Sequence, residues 1–366
     1  MTSFVSESGA SRVVFGSGTF NQLSDELERL GCKRAVLIST PGRRAMTDRA
    51  KEMIGSRFVA RFDDAVVHVP DHVAGTARNV ALAVQADCLI AFGGGSSIGV
   101  AKAVALTTGT PIIAVPTTYS GSEMTPIWGR TSHGQKQTGR DPKVQPRVVI
   151  YDPELTLDLP ADVSALSGMN AIAHCIEALY ASDATPASTE DAVRGIELLS
   201  QSLPQIVANP KSLPAREAAL EGAWLAGSAL GSVQMALHHK LCHTLGGAFN
   251  LPHAETHAVL LPYTAAFNRQ AAPHAMQLAA KALNAPDAPM ALLDLEWRIG
   301  TPLSLEKIGM KESDLDHAAD LAAERQYPNP REVTRSEIRE LLDAAFRGDA
   351  TYVTSGATSL RASNAI

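Results

Sequence analysis

Short apolar runs alternate with stretches of helical spacing along the first third of the chain, and few folds accommodate this alternation. Apolar runs that predict strands lie at 13–15, 35–39, 66–69, 88–92 and 111–115. Helical spacing is found between them, at 20–30, 45–54, 73–84 and 98–106. Strands that alternate with helices form a parallel sheet covered on both faces, and ligands bind beyond the carboxyl ends of its strands. The sequence therefore predicts an α/β domain with a parallel, Rossmann-like sheet.

The pattern changes near residue 160. From there, helical runs follow one another with short polar breaks, at 171–180, 189–202, 215–235, 256–267, 274–283, 291–299 and 335–346. Such a run of helices without strands is typical of an all-α domain. The sequence predicts an α/β domain over residues 1–160, an all-α C-terminal domain over 161–350 and a flexible polar tail over 351–366.

A glycine run lies where the predicted strand at 88–92 meets the next helix. Backbone N–H groups at a helix N-terminus suit a pyrophosphate, and glycine lets the ligand approach closely. The spacing is not GxGxxG, and a tight turn would explain the run equally well. Hydroxyl side chains at the end of the next strand favour the phosphate site. The candidate residues for cofactor binding are Gly93, Gly94, Gly95, Ser96, Ser97, Thr117, Thr118 and Ser120.

Five of the eleven histidines fall within residues 237–257, in LHHKLCHTLGGAFNLPHAETH. His239 and His243 are four residues apart and share a helix face, and His253 follows a proline. Asn170 and His174 have the same spacing on an earlier predicted helix. One such histidine would usually be structural, but this density of imidazoles is typical of metal binding or proton transfer.

Composition limits the classes of partner. Hydrophobic residues make up 45% and charged residues 19% of the 366 residues, enough for a sizeable core. The net charge of −6 argues against nucleic acid and anionic membranes as partners. The four cysteines have no CxxC spacing, which favours a reducing compartment. Since no signal peptide and no membrane-spanning run is recognised, we expect a cytoplasmic protein.

Four motifs together resemble the iron-containing alcohol dehydrogenase superfamily, and within it the maleylacetate reductase branch. They are GGGS, PTTYSGSE, GMNAIAHCIEA and HHKLCHTLGGAFNLPH, and the resemblance extends over residues 13–346. It implies the dehydroquinate synthase-like fold of that superfamily. It also implies reduction, by NADH or NADPH, of the carbon–carbon double bond of maleylacetate to give 3-oxoadipate. Tyr119, within the second motif, is a candidate for substrate binding.

The resemblance has two departures that concern a metal. In the metal-dependent alcohol dehydrogenases of the superfamily, an Asp and three His bind iron or zinc. Matched by motif, these positions are Asn170, His174, His239 and His253. A neutral amide attracts a divalent cation less than a carboxylate does. Those relatives also have an Asp after GGGS, where this chain has Gly99. We therefore expect no metal, and assign Asn170, His174 and His239 to substrate binding.

Without a metal, other groups must stabilise the enolate oxygen that forms on hydride transfer and protonate the adjacent carbon. A cation or an N–H donor can do the first task, and an imidazole the second. Lys240 and His243 are the candidates for the oxygen, and His243 or His253 for the proton. A solvated surface position is the alternative for Lys240.

The end of the predicted strand at 35–39 bears on the choice of cofactor. An NAD-specific site usually has a carboxylate at such a strand end, where it binds the ribose hydroxyls. Here the strand is followed by Thr40 and, three residues on, by Arg43 and Arg44. Threonine can bind a ribose hydroxyl, and either arginine a 2′-phosphate, although both could simply begin a solvated helix. We expect both NADH and NADPH to be used.

The predicted partners are a small dicarboxylate substrate and a second copy of the chain. Short strands near Phe4 and Val13 predict an exposed sheet edge, which proteins usually pair or cover, and superfamily members commonly form homodimers. Two alternative functions stay open on the sequence. One is a metal-dependent alcohol dehydrogenase of the same fold, and the other is a nucleotide-binding protein with structural histidines.

Overall fold

The computed structural model describes residues 4–8, 11–132, 135–324 and 327–355, and the chain forms two compact units. The first unit holds the chain up to Leu159 together with Pro210–Leu220, and the second holds Pro160–Asn209 and the chain from Glu221 onward. The segment 210–220 was predicted to be in the helical domain. It packs with the first unit because the buried Arg216 guanidinium donates to the carbonyl oxygens of Leu159 and Pro210 at 2.7 and 3.0 Å.

The first unit is built on a sheet of strand order β1-β2-β9-β6-β5-β3-β4. β1 pairs antiparallel with β2, and the remaining neighbours are parallel. The strands are β1 (Phe4–Ser8), β2 (Ser11–Phe15), β3 (Ala35–Ser39), β4 (Phe58–Phe62), β5 (Cys88–Gly93) and β6 (Ile112–Pro116). They are followed by β7 (Ile127–Ser132), β8 (Gln135–Arg140) and β9 (Val148–Tyr151), of which β7 and β8 form a separate hairpin.

Helices cover both faces of this sheet, as the sequence predicts. They are α1 (Leu23–Arg29), α2 (Arg44–Ile54), α3 (Asp71–Ala83) and α4 (Gly95–Thr108). Alternate residues of β3 enter different cores: Val36 packs with α3 and α4 residues, whereas Leu37 packs with α1 and α2 residues. Period-two alternation between two buried faces is what a fully covered strand requires.

One expectation for this unit is wrong, and one pair of strands was not predicted. The strand predicted at 66–69 lies instead at β4, because His68 and Val69 have φ values of 64° and 48°, which do not continue a strand. The β7–β8 hairpin was not predicted. It is anchored by the buried Lys102 of α4, whose Nζ donates to the carbonyl oxygens of Ser122, Thr125 and Ile127 at 2.6 to 2.8 Å.

The second unit is helical, as the sequence predicts. Its helices are α5 (Ala161–Tyr180), α6 (Pro186–Ala208), α7 (Leu213–Ser232), α8 (Leu237–Phe249), α9 (His253–Asn268), α10 (Pro273–Ala282), α11 (Ala288–Ile299), α12 (Leu315–Ala323), α13 (Arg335–Arg347) and α14 (Ala350–Ser355). The first turns of α7 belong to the first unit. In the described ranges, no helix is long and apolar enough to cross a membrane.

The flexible tail was predicted to begin at residue 351, which is too early in the sequence. Residues 350–355 form α14, which packs on α9 and α11 and buries Val353 completely. Tyr352 and Val353 are apolar and become buried, which stabilises this helix. The polar composition of the segment as a whole gave no sign of it. The remainder of the predicted tail, 356–366, lies outside the described residues.

Gly195 of α6 allows a close contact with α5, the helix that carries Asn170 and His174. A Cβ added at Gly195 of α6 would lie 2.8 Å from Cys175 Sγ of α5 and 3.3 Å from the Gly222 carbonyl oxygen of α7. The α6 and α7 backbones therefore meet closely here, and α5 packs against Gly195 through the Cys175 side chain. Every residue of α5 from Ser167 to Tyr180 is buried.

One acidic residue of the second unit is buried without a hydrogen-bond partner among the described residues. Glu296 of α11 is completely buried, and among the described residues neither of its carboxyl oxygens has a hydrogen-bond partner. Burial raises the pKa of this carboxyl well above its ordinary value. The folded protein therefore keeps a proton at Glu296 at pH values where the unfolded chain has lost it.

This difference makes stability depend on pH. Above a pH of about 4.3, where the unfolded carboxyl ionises, the folded state becomes progressively less stable because it must retain the proton. Glu296→Gln removes this cost, so we expect its melting temperature to exceed that of the wild type at pH 8 by more than at pH 5. The free energy gain is about 1.4 kcal/mol for each unit of pKa shift. The exposed Glu306→Gln is the control, and an equal difference at both pH values would contradict the prediction.

Candidate active site

A single face of α5 supplies the first part of the site. Asn170, His174 and Glu177 are spaced by four and three residues, so they lie along one side of the helix. All three are nearly inaccessible, with exposures of 5%, 4% and 0%. Burial lowers the pKa of His174 well below its ordinary value, so this imidazole is neutral.

Glu177 closes the N-terminus of α8, which has no side-chain cap of its own. Its carboxylate accepts hydrogen bonds from the backbone N–H groups of Ala236 and His238 at 3.0 and 2.8 Å, and from His239 Nδ1 at 2.6 Å. Burial alone would raise the pKa of Glu177, but His239 and these donors bring it below its ordinary value. A buried charge is tolerated here because the first-turn N–H groups of a helix stabilise anions.

This contact determines which nitrogen of His239 carries the proton. Since an ionised carboxylate only accepts hydrogen bonds, the Nδ1 of His239 must be the donor. In the neutral ring, Nε2 then carries the lone pair. His239 Nε2 is buried and has no hydrogen-bond partner in the part of the chain that the structure describes.

The predicted histidines of the second unit lie together. The ring centroids of His174 and His239 are 5.2 Å apart, those of His239 and His243 6.0 Å, and those of His243 and His253 6.3 Å. His253 is exposed and His243 partly buried, whereas His174 and His239 lie deeper. Lys240 is partly buried on α8, directly after His239. The cluster therefore extends from an accessible edge into the core.

Three residues of this region received no role from the sequence. Glu177 was missed although it lies three residues after His174, a spacing that places it on the same helix face. His238 and His257 were also missed, and their ring nitrogens are 2.9 Å apart. His257 lies four residues after His253 on α9, and this spacing was the available signal.

The cluster does not fit the metal-binding set of the metal-dependent relatives. Asn170 offers a neutral amide where they have a carboxylate, and Glu177 is already bonded to α8. Within the described ranges, the one group of three His, Cys, Asp or Glu ligand atoms that lie within 4.8 Å of one another is His238, Cys242 and His257. Among the described residues, His174, His239 and His253 do not form such a group.

The glycine loop of the first unit has the geometry of an anion site. Gly93 ends β5 with φ 130°, and Gly95 begins α4. A Cβ on Gly94 would lie 2.7 Å from Thr118 Oγ1, so the loop contacts the end of β6 directly. Among the described residues, the buried hydroxyls of Ser97 and Thr117 have no hydrogen-bond partner. Free helix N–H groups beside two such hydroxyls suit a phosphate.

A carboxylate lies at the strand end where the sequence showed none. Asp63 follows β4, and its Oδ1 accepts a hydrogen bond from Ser39 Oγ of β3 at 2.9 Å. Arg44, at the start of α2, lies 3.3 Å from the other Asp63 oxygen. The segment after β3 has no carboxylate, as the sequence indicates, and the acid beside it comes from the end of the neighbouring strand, which the sequence analysis did not consider. Thr40 and Arg43 connect β3 to α2.

Tyr119 has a different setting from the one predicted. Its side chain is fully buried, and its hydroxyl oxygen accepts a hydrogen bond from Arg216 Nη1 at 3.1 Å. Arg216 in turn binds the backbone at Leu159 and Pro210. This position favours a structural role within the first unit over contact with a substrate. Ser120, next in the chain, donates to the buried Glu123 carboxylate at 3.4 Å.

Comparisons with known proteins agree across the chain. Residues 10–153 match the iron-containing alcohol dehydrogenase family, and residues 164–346 match its C-terminal domain, described as the Fe-containing alcohol dehydrogenase family, C-terminal. Both parts of the chain thus resemble one family.

Several of the similar proteins are maleylacetate reductases. A maleylacetate reductase of Burkholderia cepacia is 50% identical, covering 95% of this chain and 99% of that protein. A maleylacetate reductase of Pseudomonas knackmussii is 48% identical, covering 94% and 98%. The crystal structure of maleylacetate reductase from Agrobacterium tumefaciens matches with a TM-score of 0.89 at 45% identity, covering 95% of this chain and 99% of that chain.

The phosphate site can be tested by adding one methyl group at Gly95. A Cβ on Gly95 meets no protein atom within 4 Å, so Gly95→Ala leaves the fold intact and obstructs only a ligand that approaches the helix N-terminus. We expect the Kd for NADH to rise about tenfold or more, or ~1.4 kcal/mol. The melting temperature should not fall.

Gly75→Ala on α3 is the matched control, since a Cβ there also meets nothing within 4 Å. Its Kd should equal that of the wild type. Equal NADH affinity in both variants, measured by fluorescence titration, would place the pyrophosphate elsewhere.

Proposed function

The chain belongs to the iron-containing alcohol dehydrogenase family, and we infer that within this family it is a maleylacetate reductase. The observation that carries this inference is the 50% identity to a relative of that name over 95% of the chain. The enzyme is an oxidoreductase that uses a reduced nicotinamide dinucleotide. It converts maleylacetate to 3-oxoadipate by adding hydrogen across a carbon–carbon double bond.

The reaction defines what the side chains must provide. A bound NADH or NADPH supplies a hydride, which adds to the alkene carbon beta to the ketone. Negative charge then develops on the ketone oxygen, and one proton must reach the adjacent carbon. The protein therefore needs a donor for the oxygen and a proton source for the carbon.

The proton positions in the cluster restrict these roles. His239 donates its Nδ1 proton to Glu177, so this proton is not available to an oxyanion. Lys240, His243 and His253 are the remaining predicted residues, and all three are more accessible than His239. We assign Lys240 and His243 to the oxyanion, and His243 or His253 to the proton. Asn170, His174 and His239 line the buried side of the substrate site.

We also propose that the enzyme works without a metal ion. Asn170 cannot supply the negative charge that balances a divalent cation, and the carboxylate of Glu177 is used within the protein. The stabilisation that a Lewis acid would provide then comes from N–H donors.

Both nicotinamide cofactors are proposed to be used. Asp63 can accept hydrogen bonds from ribose hydroxyls, which favours NADH. Its charge is balanced by Arg44 and by Arg61, whose guanidinium nitrogens lie 3.3 and 3.8 Å from it. Arg43 and Arg44 can also pair with a 2′-phosphate, so NADPH is not repelled.

The proposed assembly is a cytoplasmic homodimer. β1 lies at one edge of the sheet, and Val5 on this strand is 52% exposed. An apolar residue on an exposed edge strand favours pairing with another copy. Light scattering at micromolar concentration measures the mass directly.

The purified protein should oxidise NADH in the presence of maleylacetate and not in its absence. We expect this rate to be unchanged after treatment with chelators, because no step is assigned to a metal. Elemental analysis should show iron and zinc well below one ion per chain. Loss of activity on metal removal, with recovery on addition of iron or zinc, would contradict the metal-free proposal and favour the alcohol dehydrogenase alternative.

Substitutions at the accessible edge test the assigned roles. His243→Ala and His253→Ala should each lower kcat by about a hundredfold or more, the usual scale for groups that stabilise charge or transfer protons. Lys240→Ala should also lower kcat. The control is His274→Ala on α10, an exposed histidine outside the cluster. Wild-type turnover in both histidine variants would show that the histidine cluster has a structural role.

A further inference from the structure

A buried guanidinium connects three distant segments of the first unit. Arg216 is completely buried, although arginine seldom lies inside a protein. Its Nε donates to the Pro210 carbonyl oxygen at 3.0 Å, its Nη2 to the Leu159 carbonyl oxygen at 2.7 Å, and its Nη1 to the Tyr119 hydroxyl oxygen at 3.1 Å. Because the guanidinium is planar and rigid, it fixes the directions of these three bonds together. The position of Tyr119 is therefore set by the two other segments.

The hydroxyl group of Tyr119 is bonded by the protein on both sides. Burial raises its pKa more than the nearby charge of Arg216 lowers it, so the hydroxyl keeps its proton. Thr156 donates its own hydroxyl proton to the Pro153 carbonyl oxygen at 2.8 Å, so Thr156 Oγ1 accepts the bond from Tyr119. Tyr119 thus donates to Thr156 and accepts from Arg216. Its completely buried side chain has neither surface nor proton left for a substrate.

The residues just before Tyr119 lie against the glycine loop. The backbone N–H of Thr117 donates to the Gly93 carbonyl oxygen at 3.0 Å. A Cβ on Gly94 would lie 2.7 Å from Thr118 Oγ1, so only glycine allows the two segments to approach this closely. A displacement of the segment after β6 would therefore change the shape of the candidate phosphate site.

Burial alternates along this segment. Thr117 and Tyr119 are completely buried, whereas Thr118 and Ser120 are partly exposed. Thr118 and Ser120 therefore lie on the side that a ligand can reach. The hydrogen bond from Arg216 holds the segment from its buried side, so Arg216 can affect the ligand site without contact with the ligand.

We propose that Arg216 is a positioning residue of the cofactor site: by holding Tyr119 inward, it presents the partly exposed residues on either side of Tyr119 to the bound dinucleotide. This assignment rests on the proposed function, and it replaces the predicted contact of Tyr119 with the substrate. Neither side chain touches the reacting atoms. Their effect is on the affinity for NADH and not on the chemical step, because the proposed donors to the substrate belong to the second unit.

Tyr119→Phe removes one oxygen atom and keeps the ring, so it breaks this connection with little change in packing. We expect the Kd for NADH to rise about tenfold, the scale for a buried donor left without its acceptor. The kcat at saturating NADH and the KM for maleylacetate should stay within about twofold of the wild type. Hydrogen exchange of backbone amides 117–122, measured without cofactor, should be faster in the variant.

Glu26→Gln is the matched control. Glu26 is also buried in the first unit, and it accepts from the guanidinium of Arg12 at 3.0 Å. Arg12 pairs with the first residue of β9, at the amino ends of the parallel strands, whereas the glycine loop follows their carboxyl ends. The melting temperature of this variant should fall about as far as that of Tyr119→Phe. Its Kd for NADH should equal that of the wild type.

Thr156→Val is a second variant, which decides the matter if Tyr119→Phe does not fold. It removes the acceptor of the Tyr119 proton and leaves Tyr119 and Arg216 in place, so we expect the same rise in Kd and in hydrogen exchange. Wild-type NADH affinity in the folded variant overturns the proposal. A raised KM for maleylacetate with unchanged NADH affinity also overturns it, because Tyr119 would then belong to the substrate site.

Failure of the proposed function would give a different result. A wild-type protein that binds NADH but does not reduce maleylacetate would contradict the proposed function. The NADH affinities of the variants would still decide the role of Arg216.

Discussion

The buried carboxylate of Glu177 is the interaction on which the site depends. It holds the first turn of α8 to α5 through backbone N–H groups and through His239. Those two helices carry most of the histidine cluster, so their relative position is set by one ionised side chain. The close contact between Gly195 of α6 and Cys175 of α5 helps to position the helix that carries this side chain. A charge that is costly to bury is stabilised here by donors that α8 would otherwise leave unsatisfied.

As a consequence, the site has a buried side and an accessible side. Its buried side holds Asn170, His174 and His239, and Glu177 accepts the Nδ1 proton of His239. Its accessible side consists of Lys240, His243 and His253, which can carry and exchange protons. Such a division suits a reaction in which negative charge develops on a substrate, because the proposed hydrogen-bond donors all lie on the accessible side.

The sequence predicted what local periodicity and motif spacing determine. The two-domain division into α/β and all-α parts, β3, β5 and the glycine run follow from patterns within about ten residues. The contacts that complete the site join distant positions: Glu177 with His239, Asp63 with Ser39, and Arg216 with Tyr119. Periodicity carries no information on such pairs. The strand expected at 66–69 failed for a related reason, since an apolar composition there coexists with left-handed backbone at His68 and Val69.

The shared face of Asn170 and Glu177 also constrains how this chain can change over evolutionary time. Asparagine and aspartate codons differ by a single base, so the acidic residue of the metal-dependent relatives is always one mutation away. That mutation would put a second carboxylate on a completely buried helix face, two turns from the first. Without a cation the two negative charges would repel each other in a medium of low polarity. Under the metal-free proposal, a metal site with an aspartate ligand would therefore require the ion and the new carboxylate together, which a single substitution does not supply.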